Sequence, residues 1–190
     1  MGEAKSKMTE AEYLALTASG ELAERVEWIN GAAYAMAGGT ARHAAVATNI
    51  AIALGIAMRG GPCRPTNGDQ RIAIADTGAY LYPDAVVVCG PYAMADDGLS
   101  VVNPSVVFEV LSPSTRTTDV GPKFEHYRRI ETLTDYVVVD PDAGTVTHHA
   151  RHPDGWLRRD YDSGVLSLME GATALPLAEI FADLDNVPSD

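Results

Sequence analysis

The run SVVFEVLSPST, residues 105–115, sets one carboxylate inside a wall of apolar side chains. Side chains of a strand alternate between faces, so Val106, Phe108 and Val110 share one face and Val107, Glu109 and Leu111 the other. Both faces are apolar, the signature of a strand covered on two sides. A glutamate there requires a partner, because an ion is almost never fully buried alone. The fold and the function both follow from what that partner is.

Outward from this strand, other segments read as neighbours in a sheet. YPDAVVVC (82–89) and DYVVVD (135–140) are further core strands, and DQRIAIAD (69–76) alternates. ERVEWINGAAYAM carries Asn30-Gly31 between two β-prone runs, a strong hairpin signal. THHAR and GWLRRDY form a second hairpin across Pro153-Asp154-Gly155. Helices punctuate these strands. Thr9 and Glu12 have capping-box spacing and open a helix to about Ser19. Residues 40–59 form a longer one, capped by Thr40 and ended by Gly60-Gly61, with His43, Val46, Ile50 and Leu54 on one face. A third starts at Pro122 and a short last one spans about 176–184. The order predicts an α/β fold of the α+β type: a mixed central sheet with flanking helices, a β-rich N-terminal hairpin and a β-rich C-terminal part.

The chain has 190 residues, which suits one domain, with a core over 9–184 and a frayed tail over 185–190. Its net charge of −12 argues against a sequence-independent nucleic-acid coat, which would be basic. No apolar run is long enough for a membrane helix, and the first residues lack the apolar stretch of a signal peptide. Cys63 and Cys89 are far apart and in no metal or redox spacing. They read as reduced thiols, hence a cytoplasmic protein.

Two residues bear on Glu109. Asp84 opens a buried strand, Glu109 follows in the next, and Lys123 lies in the helix after that. On neighbouring strands the two carboxylates converge and repel, and a divalent cation would keep both ionised. Oxygen-only ligands favour Mg²⁺ or Mn²⁺. Such a site suits phosphodiester hydrolysis, with Lys123 positioning water or stabilising developing charge. The alternative from spacing alone is structural: Asp84 caps a strand, and Glu109 pairs with Arg71 or Arg128.

The segments YPDAVVVCG, NPSVVFEVLSPSTRTTDVGPKFEHYRRI and TDYVVVD resemble the Uma-two-like restriction endonuclease family of the PD-(D/E)XK nuclease superfamily. The resemblance runs from about Thr9 to Leu184. It implies a restriction-endonuclease-like sheet, a Mg²⁺-dependent endonuclease site acting on nucleic acid, most simply DNA, and a homodimer. Asp84 matches the PD aspartate and Glu109 the (D/E) position. The superfamily lysine would fall at Leu111; Lys123 matches the lysine that replaces it from the following helix. The resemblance also covers Glu27, as a third acidic ligand or a support behind the ligands, and His43, as a proton carrier. Their structural alternatives are a hairpin charge and a hydrogen-bonded core histidine.

Other candidates read as structural. Tyr127 lies one turn after Lys123 and could line the site, though such aromatics are usually core. Ser112, Ser114 and Thr115 could bind phosphate or cap the loop. His148 and His149 face opposite ways on a strand, so with His152 they make a poor metal cluster. Arg151, Arg158 and Arg159 could form a basic patch across a hairpin, but with so many acids in the chain they read as rim salt bridges. Gly38-Gly39 is too slight for a phosphate loop, and no nucleophile elbow is present. A binding or assembly module with the same fold but no turnover is the competing reading; a phosphoesterase acting on smaller nucleotides is a third.

Overall fold

The computed structural model describes residues 6–21, 25–36, 38–112 and 121–189. Helix α1 (Glu10–Ser19) follows the β1 strand (Ser6–Lys7) and starts with the expected capping box. The Glu12 amide donates to Thr9 Oγ1 at 3.3 Å, and the Thr9 amide donates to Glu12 Oε2 at 2.7 Å. Strands β2 (Val26–Ile29) and β3 (Ala32–Ala35) flank Asn30-Gly31. Both turn residues are left-handed, at φ 49° and 84°, as a two-residue hairpin requires.

Helix α2 (Ala41–Ala57) leads to β4 (Cys63–Asn67), β5 (Ile72–Ile74), β6 (Ala79–Leu81) and β7 (Ala85–Cys89). Then come β8 (Val106–Val110), α3 (Pro122–Tyr127), β9 (Asp135–Asp140), β10 (Thr145–His152) and β11 (Gly155–Tyr161). A hairpin of β12 (Val165–Leu168) and β13 (Thr173–Pro176) precedes α4 (Leu177–Ile180).

The larger sheet has the order β11-β10-β9-β8-β7-β4, and the smaller one β1-β3-β2-β6-β5. Every pairing is antiparallel except β8 with β9, whose crossover carries α3. The alternation expected of residues 106–111 holds. Val106, Phe108 and Val110 pack with Val46, Ile50 and Leu54 of α2, whereas Val107 and Leu111 pack with Phe124 and Tyr127 of α3. The sheet is therefore covered on both faces, and Glu109 lies on the α3 side.

The sequence reading differs from the fold in three places. The strand expected over 69–76 shortens to Ile72–Ile74 and belongs to the smaller sheet, because residues 75–77 turn as a 3-10 helix. Strands β1, β4 and β6 and the β12–β13 hairpin had no strand assignment. The cysteines are not free: Cys63 and Cys89 form a disulfide. They stand opposite one another on β4 and β7, so recognising β4 would have paired them. The argument from reduced thiols to a reducing compartment loses its premise. Among the described residues no helix is long and apolar enough to cross a membrane.

The end of the chain packs as far as Val187, whose carbonyl accepts from Arg42 at 3.1 Å. Ser114 and Thr115 lie outside the described residues.

Candidate active site

Strand pairing delivers the two carboxylates to one place. The Asp84 amide donates to the Phe108 carbonyl at 3.0 Å, extending the β7–β8 ladder by one residue. The Asp84 side chain then turns along the ladder, and its Oδ2 accepts from the Val110 amide at 2.7 Å. One oxygen is thus pinned to the strand that carries Glu109. The other, Oδ1, lies 3.2 Å from His43 Nε2.

His43 is placed by its helix. Thr40 caps α2, accepting from the His43 amide at 3.2 Å, so the imidazole projects from the first turn. Gly39 makes room for it, since a Cβ at that position would sit 2.4 Å from His43 Nδ1. Gly39 thus has a steric role that the sequence did not disclose, whereas a Cβ at Gly38 would meet nothing.

Among the described residues the charged partner of Glu109 is a lysine. Lys123 Nζ lies 3.3 Å from Glu109 Oε2, and the Tyr127 hydroxyl donates to Glu109 Oε1 at 3.0 Å. Lys123 and Tyr127 are four residues apart on α3 and so present side by side. Both proposed arginine partners are engaged elsewhere: Arg71 with Asp97, and Arg128 with Glu125. Burial pushes the Tyr127 hydroxyl far above its ordinary range, with the Glu109 charge acting in the same direction, so it remains a proton donor.

Glu27 joins from the smaller sheet. Its Oε1 lies 3.0 Å from Lys123 Nζ and accepts from the Tyr82 amide at 3.1 Å. Lys123 is therefore held between two buried carboxylates from different sheets, itself only 4% exposed. The hairpin-charge alternative for Glu27 does not describe this position.

All five candidates, Glu27, His43, Asp84, Glu109 and Lys123, line one cleft of about 520 Å³. The α2 face from Ala44 to Ile52 forms an apolar wall, and Tyr34, Asn67 and Ser112 complete the rim. His43 and Asp84 are each 17% exposed, whereas Glu109 is 2% exposed, so the cleft opens at the His43–Asp84 end. The donor chemistry fits a hard cation: carboxylate oxygens from adjacent strands, one already oriented by a backbone amide. Among the described residues no three His, Cys, Asp or Glu side chains are grouped closely enough to cage an ion.

The histidines away from the cleft are structural. His148 Nε2 is 2.7 Å from Asp135 Oδ1 in the core, and His149 packs on Phe124 across the sheet, with ring centroids 4.3 Å apart. Arg158 pairs with Asp160 as a rim bridge, but Arg151 does otherwise. It donates to the Ile130 and Leu133 carbonyls at 2.6 Å each, beyond the end of α3.

Comparison with known proteins places this geometry in a lineage. An uncharacterized protein of Synechocystis sp., slr1290, is 33% identical over 141 residues, covering 74% of each chain. A second from the same organism, sll1609, is 32% identical over 152 residues, covering 79% of this chain and 85% of its own. A crystal structure of an Anabaena variabilis protein, described as a putative nuclease belonging to DUF820, superposes with a TM-score of 0.71 at 17% identity. It covers 87% of this chain and 96% of its own, a likeness of fold. Residues 10–178 match the Uma2 family model, described as "Putative restriction endonuclease", and the chain belongs to that family.

Proposed function

We propose that this protein is a Mg²⁺- or Mn²⁺-dependent endodeoxyribonuclease, hydrolysing phosphodiester bonds in the Asp84–Glu109 cleft. The observation that carries this reading is the pinned pair: Asp84 is hydrogen-bonded to the strand bearing Glu109, and Lys123 contacts Glu109. Asp84 and Glu109 would hold the cation. When bound, such an ion supplies Lewis-acid stabilisation of phosphate charge and a more acidic water. Lys123 orients the Glu109 carboxylate and presents positive charge to the phosphate oxygens. His43 Nε2, beside Asp84 at the open end, is placed to accept or return a proton. Glu27 holds Lys123 in position. A homodimer would bring two such clefts to a duplex, each cutting one strand.

One observation favours a second reading, a non-catalytic binding module of the same fold. Glu27, Lys123 and Glu109 already form a compensated buried cluster without any ion. The two readings part on a plasmid-cleavage assay with Mg²⁺ or Mn²⁺, with and without EDTA, for the wild type, Asp84→Asn and Glu109→Gln. The nuclease reading expects nicking that EDTA and either substitution abolish. Equal cleavage by both variants would remove the site assignment. An intact plasmid, with no heat of Mn²⁺ binding in calorimetry, would favour the module.

A further inference from the structure

A groove of about 980 Å³, roomier than the acidic cleft, lies at the opposite end of the larger sheet, where β9 begins and β10 ends. Its chemistry is the reverse of what a chain of net charge −12 would offer at random. Arg128 and Arg129 enter from just beyond α3, Arg151 from β10 and Arg159 from β11. Three carboxylates also line it, but Asp135 is buried and engaged with His148. Arg128 lies over the Phe124 ring, 5.8 Å from its centroid, and its ion pair with Glu125 is an exposed bridge of little energy. Arg129 and Arg159 are exposed, and neither side chain makes a hydrogen bond or ion pair among the described residues. Two forked donors thus stand unspent on either side of a concave surface.

One wall of the groove is flat and cationic. Trp156 lines the groove, and the Arg151 guanidinium lies over its ring at 4.5 Å from the centroid. Arg151 is fixed in that pose by the carbonyls beyond α3. Guanidinium forks match phosphate oxygens in pairs, and arginine and aromatic planes stack on unpaired bases. A positively charged groove with such a wall is the chemistry of single-strand binding.

We propose that this groove docks a single-stranded nucleic acid, with backbone phosphates on Arg129 and Arg159 and a base against the Arg151–Trp156 wall. The class of partner rests on the nuclease reading; the site does not, because none of the cleft residues lines it. One helix links the two. Lys123 is the second residue of α3 and Arg128 follows its end, roughly 8 Å along the axis at 1.5 Å per residue. The groove would hold a strand segment away from the point of cleavage.

The test is fluorescence anisotropy with a labelled single strand of about 12 nucleotides in EDTA, so that no cleavage intervenes. R129E/R159E should weaken binding at least about tenfold and flatten the dependence of log K on log salt by about 1 to 1.5. R59E/R64E, carrying the same charge change at the far end of α2 and on β4, should bind like wild type. Unchanged binding by R129E/R159E, equal loss in R59E/R64E, no binding by the wild type, or equal affinity for a blunt duplex would each overturn the proposal. A wild type that binds through Arg129 and Arg159 yet never cuts plasmid would instead remove the nuclease reading and leave the groove standing.

Discussion

Lys123 compensates two buried acids at once, which makes it the most consequential side chain of the cleft. Its replacement by methionine should cost about 3–5 kcal/mol, since Glu27 and Glu109 would lose their shared cation. Adding Glu27→Gln to that variant should recover part of the loss, with a coupling of about 1–3 kcal/mol in a double-mutant cycle of thermal or urea unfolding. Strict additivity would show that the lysine is not shared. Gly39 offers a separate check. Alanine there would place Cβ 2.4 Å from His43 Nδ1, so Gly39→Ala should displace the imidazole from Asp84 while leaving the core intact. Cleavage should fall about as much as in His43→Ala, roughly 10²-fold for a lost proton carrier, with little change in melting temperature. Asp84, Glu109 and Lys123 were legible because a carboxylate inside an apolar strand demands company. Gly39 and the Tyr82 amide were not, because steric room and backbone donors leave no mark in residue type.

Among the elements, the connection between β7 and β8 is anchored by an ion pair with little exposed side-chain surface. Arg71 Nη2 meets Asp97 Oδ2 at 3.0 Å, and Arg71 also lies over the Tyr13 and Tyr80 rings. Burial alone would raise the Asp97 carboxyl. Hydrogen bonds from the Ser100 hydroxyl and the Leu99 and Ser100 amides, with the Arg71 charge, outweigh it and hold the group below its ordinary 3.8. A depressed carboxyl adds stability above the unfolded value and loses it as pH falls through the lower native one. Acid unfolding should therefore steepen below pH 3.8, and Asp97→Asn should flatten that dependence while costing about 3 kcal/mol at neutral pH. Urea melts across pH would measure both. The edges of the larger sheet show a different control. β4 carries Pro65 and β11 carries Arg158 and Arg159, which discourage strand addition from a second molecule. Proline and the lack of alternation are also why β4 escaped recognition, whereas β8 and β9, apolar on both faces, were plain.

Across the chain as a whole, the disulfide ties the β4 edge to β7, the strand that Asp84 precedes. The bridge closes a separation of 26 residues, worth roughly 3 kcal/mol by loop closure. Reduction, or Cys63→Ala with Cys89→Ala, should lower the melting temperature accordingly, and a melt with and without reductant measures it. The general architecture, a mixed sheet between helices, was legible from hydrophobic pattern and turn residues. The division into two sheets was not, since β5 and β6 are three residues each and their partners are set by tertiary packing.

The clasp between those sheets has a practical corollary for anyone trimming the gene. Glu27 arrives from the opening hairpin, so a shortened version starting near codon 40 would keep the pinned aspartate and the glutamate beside it, yet strand the lysine with half its counter-charge. Such a fragment would be a damaged protein rather than a minimal one.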